Sequence, residues 1–593
     1  MRTKPYEYSP LHNPLTGIRL LHLLPGASDS ELKAQFYHET LEETLSFDDG
    51  RLGLKQLQGT LPADWEVWET HEGSFIFGRP LENQRSEYTW KHPVPDFDES
   101  RYQLPDDVPH AKPEYEALSY VWGEEEVEEY ILISHGTSED AIADGGPRFR
   151  RLGIRPNLEA ALRHLRRLDS PRTLWIDALC INQADNAEKS MQVQRMSQVY
   201  RLAHRVLVWL GPGSSESNHA LSTLRYLGQQ VAVTTDNFTM MSPDATEKRW
   251  FHRGHDLPYS PHTWAAIESL FRNSWFTRLW IIQEIVLANR FAVLQCGHDT
   301  IGAPTFRSAV QCLRYKESLP SDSFSALVVS IHRAIGTKIG DTFNTVLANT
   351  RTANCRDPKD KIYGMLALIP PQLALGILPD YGSTPTADIY RDTFLLYATQ
   401  SRRLDLLSYV NCSDYKSAVP SWVPDWSNQS ALDGCIPDQF AAGCSSARFD
   451  FQHPSSLRVS GKMCGTIETI SSPCSGEWHE ICGLVRSMSN SASGKQVEHD
   501  EALTGDQFAD YAESVVGGKI QERWPGFGWP ALEDWMTDMR LGVNSQHTSA
   551  FPRMVRLARS LCRGRVFVET DSGLRGIAPV SCKLGTFSPF VGF

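Results

Sequence analysis

No two cysteines in this chain are spaced C-x-x-C, and the first of its twelve cysteines is Cys180. That scatter excludes a zinc site of the usual ligand spacing and a secreted disulfide framework. No stretch reaches the roughly 18 consecutive apolar residues of a membrane span, and the first residues, MRTKPYEYSPLHNP, carry no apolar signal core. The expectation is a cytoplasmic protein without membrane insertion. An excess of basic charge is also missing, since 58 Lys and Arg face 71 Asp and Glu for a net charge of −13. Nucleic-acid binding rests on phosphate neutralisation, so it is not expected. The richest basic stretch, Arg163 to Arg172, reads as a solvated helix face and its exit. The chain contains no GxxxxGK[ST], HExxH, G-x-S-x-G or EF-hand loop. Metalloprotease, serine hydrolase and calcium readings therefore have little support.

What is present is ordinary globular composition, with 41% hydrophobic and 22% charged residues over 593 positions, enough for several compact units. Residues 1–47 hold a strand, IRLLHLLPG, closed by a Pro-Gly turn and expected to pack on the core. Residues 48–112 are rich in Pro, Asp, Glu and Trp without periodicity and read as an irregular insertion. Order returns in the core, 113–300. A helical region follows over 301–430, and a loop- and β-rich region over 431–593, with strand-like runs at Leu457–Ser460, Thr466–Ile470 and Arg565–Glu569.

Within the core, the runs Ala117–Val121, Thr173–Asp177 and Val206–Leu210 predict neighbouring strands of one parallel sheet. The last is apolar at consecutive positions, as a strand covered on both faces requires. Helices are expected from about Asn157 to Leu168 and from Glu188 to Ala203, each with one apolar stripe. Strand and helix alternating with short links predict an α/β unit. Gly211-Pro212-Gly213 follows a strand and precedes a helix but lacks the third glycine of G-x-G-x-x-G, so it reads as a turn.

Three blocks carry a family resemblance: YEALSYVWG (Tyr115–Gly123), LWIDALCINQADNAEKSMQVQRMSQVYRLAHRVLVWLG (Leu174–Gly211) and WFTRLWIIQEIVLA (Trp275–Ala288). In order, spacing and wording they resemble the signature blocks of the fungal heterokaryon-incompatibility (HET) domain. Weaker likeness continues through RDPKDKIYGMLAL (Arg356–Leu368) and PSWVPDWS (Pro420–Ser427). The resemblance implies a self/non-self recognition and programmed cell-death factor that works as a signalling module through protein partners or self-association. It also implies a terminal β-unit that runs on where this chain has Gly585 followed by Thr586, so the C-terminus reads as truncated.

HET domains are in turn held to be remote relatives of TIR domains, which implies a flavodoxin/TIR-like parallel sheet. Some TIR domains cleave NAD with one glutamate, on a helix whose W-x-x-x-E spacing is similar to Trp280–Glu284 here. That likeness makes Glu284 the catalytic candidate and NAD a candidate substrate, with no other cofactor implied. An oxocarbenium-like ribosyl centre needs little more than one carboxylate and walls that exclude water. The alternative is an ion-paired or capping glutamate beside core tryptophans. Ser119, Trp122, Gly123, Asp177, Asn182, Gln183 and Trp280 are the candidate ligand-binding residues around it. Asp177 at a strand's carboxyl edge is read either as a ligand contact or as an Asx turn that orders the Asn182–Gln183 loop. Cys180 has no histidine in its loop and reads as a buried thiol.

Overall fold

A computed structural model describes residues 4–13, 15–41, 50–81, 85–105, 113–124, 129–135, 149–410, 420–428, 446–453, 456–461, 463–491, 506–523, 529–547 and 549–585. The chain divides into two compact units, Met1–Thr384 and Pro385–Phe593.

The first unit is built on a nine-stranded sheet. Its strands are β1 (Gly17–Leu23), β2 (Lys33–Thr40), β6 (Glu116–Ser119), β7 (Glu129–His135), β8 (Arg150–Ile154), β9 (Arg172–Trp175), β10 (Arg205–Trp209), β13 (Val293–Cys296) and β14 (Asp299–Gly302). They lie in the order β14-β13-β10-β6-β9-β1-β2-β7-β8. Strand β6 is parallel to β9 on one side, with Ala117 opposite Trp175, and to β10 on the other, with Val206 opposite Ala117 and Val208 opposite Ser119. Strand β13 extends the parallel set beside β10. The three strands expected as neighbours are neighbours. Taken in chain order, the four parallel strands read 2-1-3-4 across the sheet. All four residues of β6 and Val206–Trp209 of β10 are buried, so both faces are covered and no polar alternation is left in the sequence.

The N-terminal strand sits inside this sheet. β1 pairs antiparallel with β9 on one side and β2 on the other, which extends the sheet from its parallel centre towards the ribbon β7–β8. Arg19 of β1 is fully buried and bonds to the Cys180 carbonyl at 2.7 Å and to Glu188 at 2.9 Å.

The stretch expected as irregular, 48–112, carries a three-stranded antiparallel sheet of β3 (Glu66–Glu69), β4 (Phe75–Leu81) and β5 (Arg85–Thr89). Its middle strand is buried on both sides. Phe75 and Phe77 join Leu57, Val67 and Tyr102, while Ile76 joins Ala232 and Met240. A strand apolar at consecutive positions shows no period of two, which is why sequence periodicity misses it. Ala232 and Met240 belong to the short ribbon β11 (Val231–Val233) and β12 (Thr239–Met241).

In the second unit, β15 (Arg448–His453) pairs with β16 (Ser456–Ser460). The strands β17 (Ile467–Ile470), β18 (Arg565–Thr570) and β19 (Arg575–Pro579) form an antiparallel sheet. The reading of a small β-rich unit needs correction. Helices Trp478–Ser491, Asp506–Ser514, Leu532–Gly542 and Pro552–Cys562 supply most of its core, with Ile481, Val485, Tyr511, Trp535 and Met539 buried together. Each of these helices carries an apolar stripe at helical spacing, such as Met554, Ala558, Leu561 and Cys562 in the last, which a reading by short strand-like runs passes over. The last residues, 586–593, lie outside the described residues. Among the described residues no helix is long and apolar enough to cross a membrane.

Candidate functional site

Ser119 ends β6, and the chain leaves the sheet there through Tyr120–Gly123. All four carbonyls of that loop are held by side chains from elsewhere, with Arg155 Nη1 also reaching the Trp122 carbonyl at 3.5 Å. Arg278 Nη1 donates to the Tyr120 carbonyl, Asn157 Nδ2 to Val121 at 2.6 Å, and Arg155 Nη1 to Gly123. Gly123 itself has φ +76°, a backbone conformation costly for a side-chain-bearing residue. Asn157 also accepts from Trp209 Nε1 at 3.1 Å, which ties the ends of β6 and β10 together through one amide.

Above this strand end lies Glu284, on the helix Trp280–Val286 and 1% exposed. Ser119 Oγ donates to its carboxyl and in turn accepts Trp275 Nε1 at 2.8 Å. Trp275 is placed by a local device. Asn273 caps the 3-10 turn Ser274–Thr277 by accepting the Trp275 amide at 2.9 Å, and its Nδ2 donates to the Leu210 carbonyl just past β10 at 2.6 Å. Burial pushes the Glu284 carboxyl up from 4.5 to about 7, with Arg278 opposing that rise, Asp177 adding to it, and hydrogen bonds from Ser119 and Tyr200 opposing it. The single Tyr200 hydroxyl, on the helix Asn186–Leu202, lies between that carboxyl and the Leu118 carbonyl, 3.2 Å from the latter, and its one proton is shared between the two. The Glu284 carboxyl thus holds its proton far more tightly than an ordinary glutamate, in a wall of Ser119, Trp275 and Tyr200.

Asp177 opens the short helix Asp177–Cys180, two residues past β9. Its carboxylate accepts Trp122 Nε1 at 3.0 and 3.2 Å and the Ala178 amide at 2.7 Å. Burial raises its pKa above the usual carboxylate value, and Arg278 again pulls the other way. The loop that follows is organised differently from the expectation. The Asn182 amide goes to Glu188 Oε1 at 2.8 Å, Gln183 Nε2 to the main-chain carbonyl of Asp177 at 2.9 Å, and the Ala184 amide to Asn182 Oδ1 at 3.2 Å. The Asp177 carboxylate is spent on Trp122 and its own helix.

Ser119, Asp177, Glu284 and the Trp122–Gly123 loop are thus neighbours around Arg278. Trp280 is not part of the group, because its indole N–H is taken by Asp360 Oδ2 at 3.1 Å. The tryptophan that meets Glu284's partner is Trp275. Spacing alone suggested Trp280, because positions i and i+4 share a helix face. Tyr200, Arg278 and Arg155 were missed as well. For Tyr200 a signal existed, since a phenol within an apolar helix stripe needs a hydrogen-bond partner inside. Cys180 is buried, its Sγ accepts the Ile176 amide at 3.3 Å, and burial pushes the thiol up to about 12. A buried thiol so raised is protonated and shielded, as expected of a structural cysteine. Gly211 has φ +111° and its carbonyl accepts the Gly297 amide at 2.9 Å, a turn joining the ends of β10 and β13.

Residues 115–284, which span this cluster, match the family described as Heterokaryon incompatibility protein (HET). The chain is also similar to the Heterokaryon incompatibility protein 6, OR allele, of Neurospora crassa, at 29% identity over 374 residues, 54% of this chain and 54% of that protein. It thus spans about half the length of that curated relative. No solved structure matches it.

Proposed function

Taking residues 115–284 as a fungal HET domain, we propose that the protein acts in heterokaryon incompatibility, as a self/non-self recognition and programmed cell-death factor. In this reading it works in the cytoplasm as a signalling module, through protein partners or self-association. One observation carries it. The three blocks that resemble the family meet in a single closed cluster: Ser119 from the first, Asp177 and Tyr200 from the second, Trp275, Arg278 and Glu284 from the third. With Glu284 only 1% exposed, the cluster suits a unit whose output is set by its assembly rather than by turnover. We read the sheet as flavodoxin/TIR-like, because the 2-1-3-4 order of its parallel strands is the beginning of that arrangement. The test is inducible expression in a filamentous fungus, scored by viable colonies and by crosslinked self- or partner-complexes. Loss of viability together with complex formation is expected. Unchanged viability at confirmed protein level overturns the proposal.

A second reading is NAD cleavage, favoured by a carboxylate of pKa about 7 at the carboxyl end of β6, where open α/β sheets place their ligands. In it the glycosidic bond to nicotinamide breaks and water adds to the ribosyl carbon. Nicotinamide, ADP-ribose and a proton leave. Ionised Glu284 would stabilise the cationic centre once the Ser119–Trp275 wall moved aside. Nicotinamide release from purified protein, lost in Glu284→Gln, is the observation this reading requires.

A further inference from the structure

The segment from Asn354 to Gly364 lies outside the stretch that matches the HET family, yet it is bonded along the turn and helix that carry Trp275, Arg278 and Glu284. The Leu279 amide donates to the Asn354 carbonyl at 2.8 Å, and the Asn354 amide returns to Thr277 at 2.6 Å. Trp280 Nε1 reaches Asp360 Oδ2 at 3.1 Å, and Gln283 Nε2 reaches the Tyr363 carbonyl at 3.1 Å. Gln283 stands about 100° round the helix from Glu284. Bonds from Trp280 and Gln283 therefore fix the helix's rotation and with it the direction of the carboxyl.

The segment is itself anchored on two sides. Lys361 is buried and its ammonium donates to the carbonyls of Arg351 and Ala353, both at 2.7 Å, which holds the chain entering Asn354. Asp360 is buried, and its second oxygen accepts the Tyr381 hydroxyl at 2.6 Å. Tyr381 in turn lies under the Lys189 ammonium at 4.0 Å, and its amide donates to Ser190 Oγ at 3.3 Å. Lys189 and Ser190 belong to the helix that also carries Tyr200. Asp360 thus joins the helices that bring Glu284 and Tyr200 to the same cluster. Gly364 makes the fit close, since a methyl group there would meet the Asp360 carbonyl at 2.9 Å and the Leu279 side chain at 3.0 Å.

We propose that Asn354–Gly364 is a latch that sets the orientation of the Glu284 helix, with Asp360 as the positioning residue acting through Trp280. The proposal rests on reading the Glu284 cluster as the working site. It makes that site larger than the family match, because the cluster is complete only when the latch is attached.

The test uses the purified full chain and reads Glu284 directly, by the infrared carboxyl band that disappears in Glu284→Gln, titrated against pH. Amide exchange of residues 280–286 is followed in parallel. Asp360→Ala removes the acceptor and Trp280→Phe removes the donor. Asp360→Asn keeps an oxygen for Trp280 and offers an amide to Tyr381, so it is the rescue. Gly364→Ala is the steric variant, because its φ of −67° suits alanine while the added methyl must displace the Asp360 carbonyl or the Leu279 side chain. In Asp360→Ala, Trp280→Phe and Gly364→Ala the Glu284 midpoint should fall from about 7 towards the ordinary 4.5 as water reaches the carboxyl. Exchange of 280–286 should rise by up to about tenfold, as expected for one lost hydrogen bond. Asp360→Asn should resemble wild type. An unmoved midpoint in Trp280→Phe and Gly364→Ala overturns the latch. So does a rise in exchange that is equal in helix Ala303–Tyr315, since Asp360 would then be one core contact among others. Cell death is not the readout, so a wild-type chain without effect on viability would remove the functional reading and leave this result standing.

Discussion

Glu284→Gln keeps the shape of the buried side chain and removes its charge. In the folded protein the Glu284 carboxyl loses its proton only near pH 7, against 4.5 for an ordinary glutamate. The folded state therefore binds that proton more tightly than the unfolded chain does. Below about pH 4.5 both states hold it, and Glu284 imposes no ionisation penalty. As pH rises through this window the unfolded chain ionises first and folding becomes progressively less favourable, until above about pH 7 the penalty levels off at about 3 kcal/mol. Glutamine pays no such penalty. The variant should thus gain on wild type between pH 4.5 and 8.5, by about 3 kcal/mol in its pH-dependent part. With unfolding entropy of about 2.1 cal/mol/K per residue over a unit of 384 residues, that is about 4 °C in Tm. Differential scanning calorimetry of both proteins at the two pH values measures it. A Tm difference that is the same at pH 4.5 and 8.5 would refute a carboxyl held neutral by burial.

Arg278→Met removes the cation that opposes the rise at Glu284, so the carboxyl midpoint should climb further above 7 in the infrared titration; a fall would place Arg278's charge elsewhere. The Cys180 thiol, pushed up to about 12 and buried, should react with a maleimide at pH 8 only as fast as the unit opens, whereas rapid labelling would contradict its burial. Arg19→Met leaves Glu188, which also holds the Asn182 amide, as a buried carboxylate without its cation. Breaking such a pair costs about 3–5 kcal/mol, to be read from the urea midpoint, and a shift under about 1 kcal/mol would count against it.

The parallel centre of the sheet was legible because its strands are short apolar runs linked by helices, as with Val206–Leu210 after the helix ending at Leu202, although that helix buries Glu188, Gln192 and Arg195 along with Met196, Val199 and Tyr200. Ser119 and Asp177 were legible because strand ends in α/β sheets are where the chain turns polar. The partners that finish the cluster were not. Trp275 reaches Ser119 only because Asn273 ties a 3-10 turn to the end of β10, a contact across 63 positions that no local pattern encodes. Trp280 was assigned to the cluster by periodicity and drawn off it by Asp360, 80 positions away. The sheet inside 48–112 escaped for the opposite reason, since Phe75, Ile76 and Phe77 are buried in succession and leave no alternation to see. In the C-terminal unit, Met554, Ala558, Leu561 and Cys562 mark an apolar helix stripe that the neighbouring strand-like runs Thr466–Ile470 and Arg565–Glu569 overshadow.

As proposed above, the cluster around Glu284 works as a closed signalling core. The most direct measurement is nicotinamide released from NAD by the purified full chain, brought to high concentration so that it assembles, with Glu284→Gln alongside. A signalling core predicts no release above buffer from either protein, while expression of the wild type still lowers fungal viability. Release by wild type that disappears in Glu284→Gln, with both proteins folded, would contradict it and establish Glu284 as a catalytic residue.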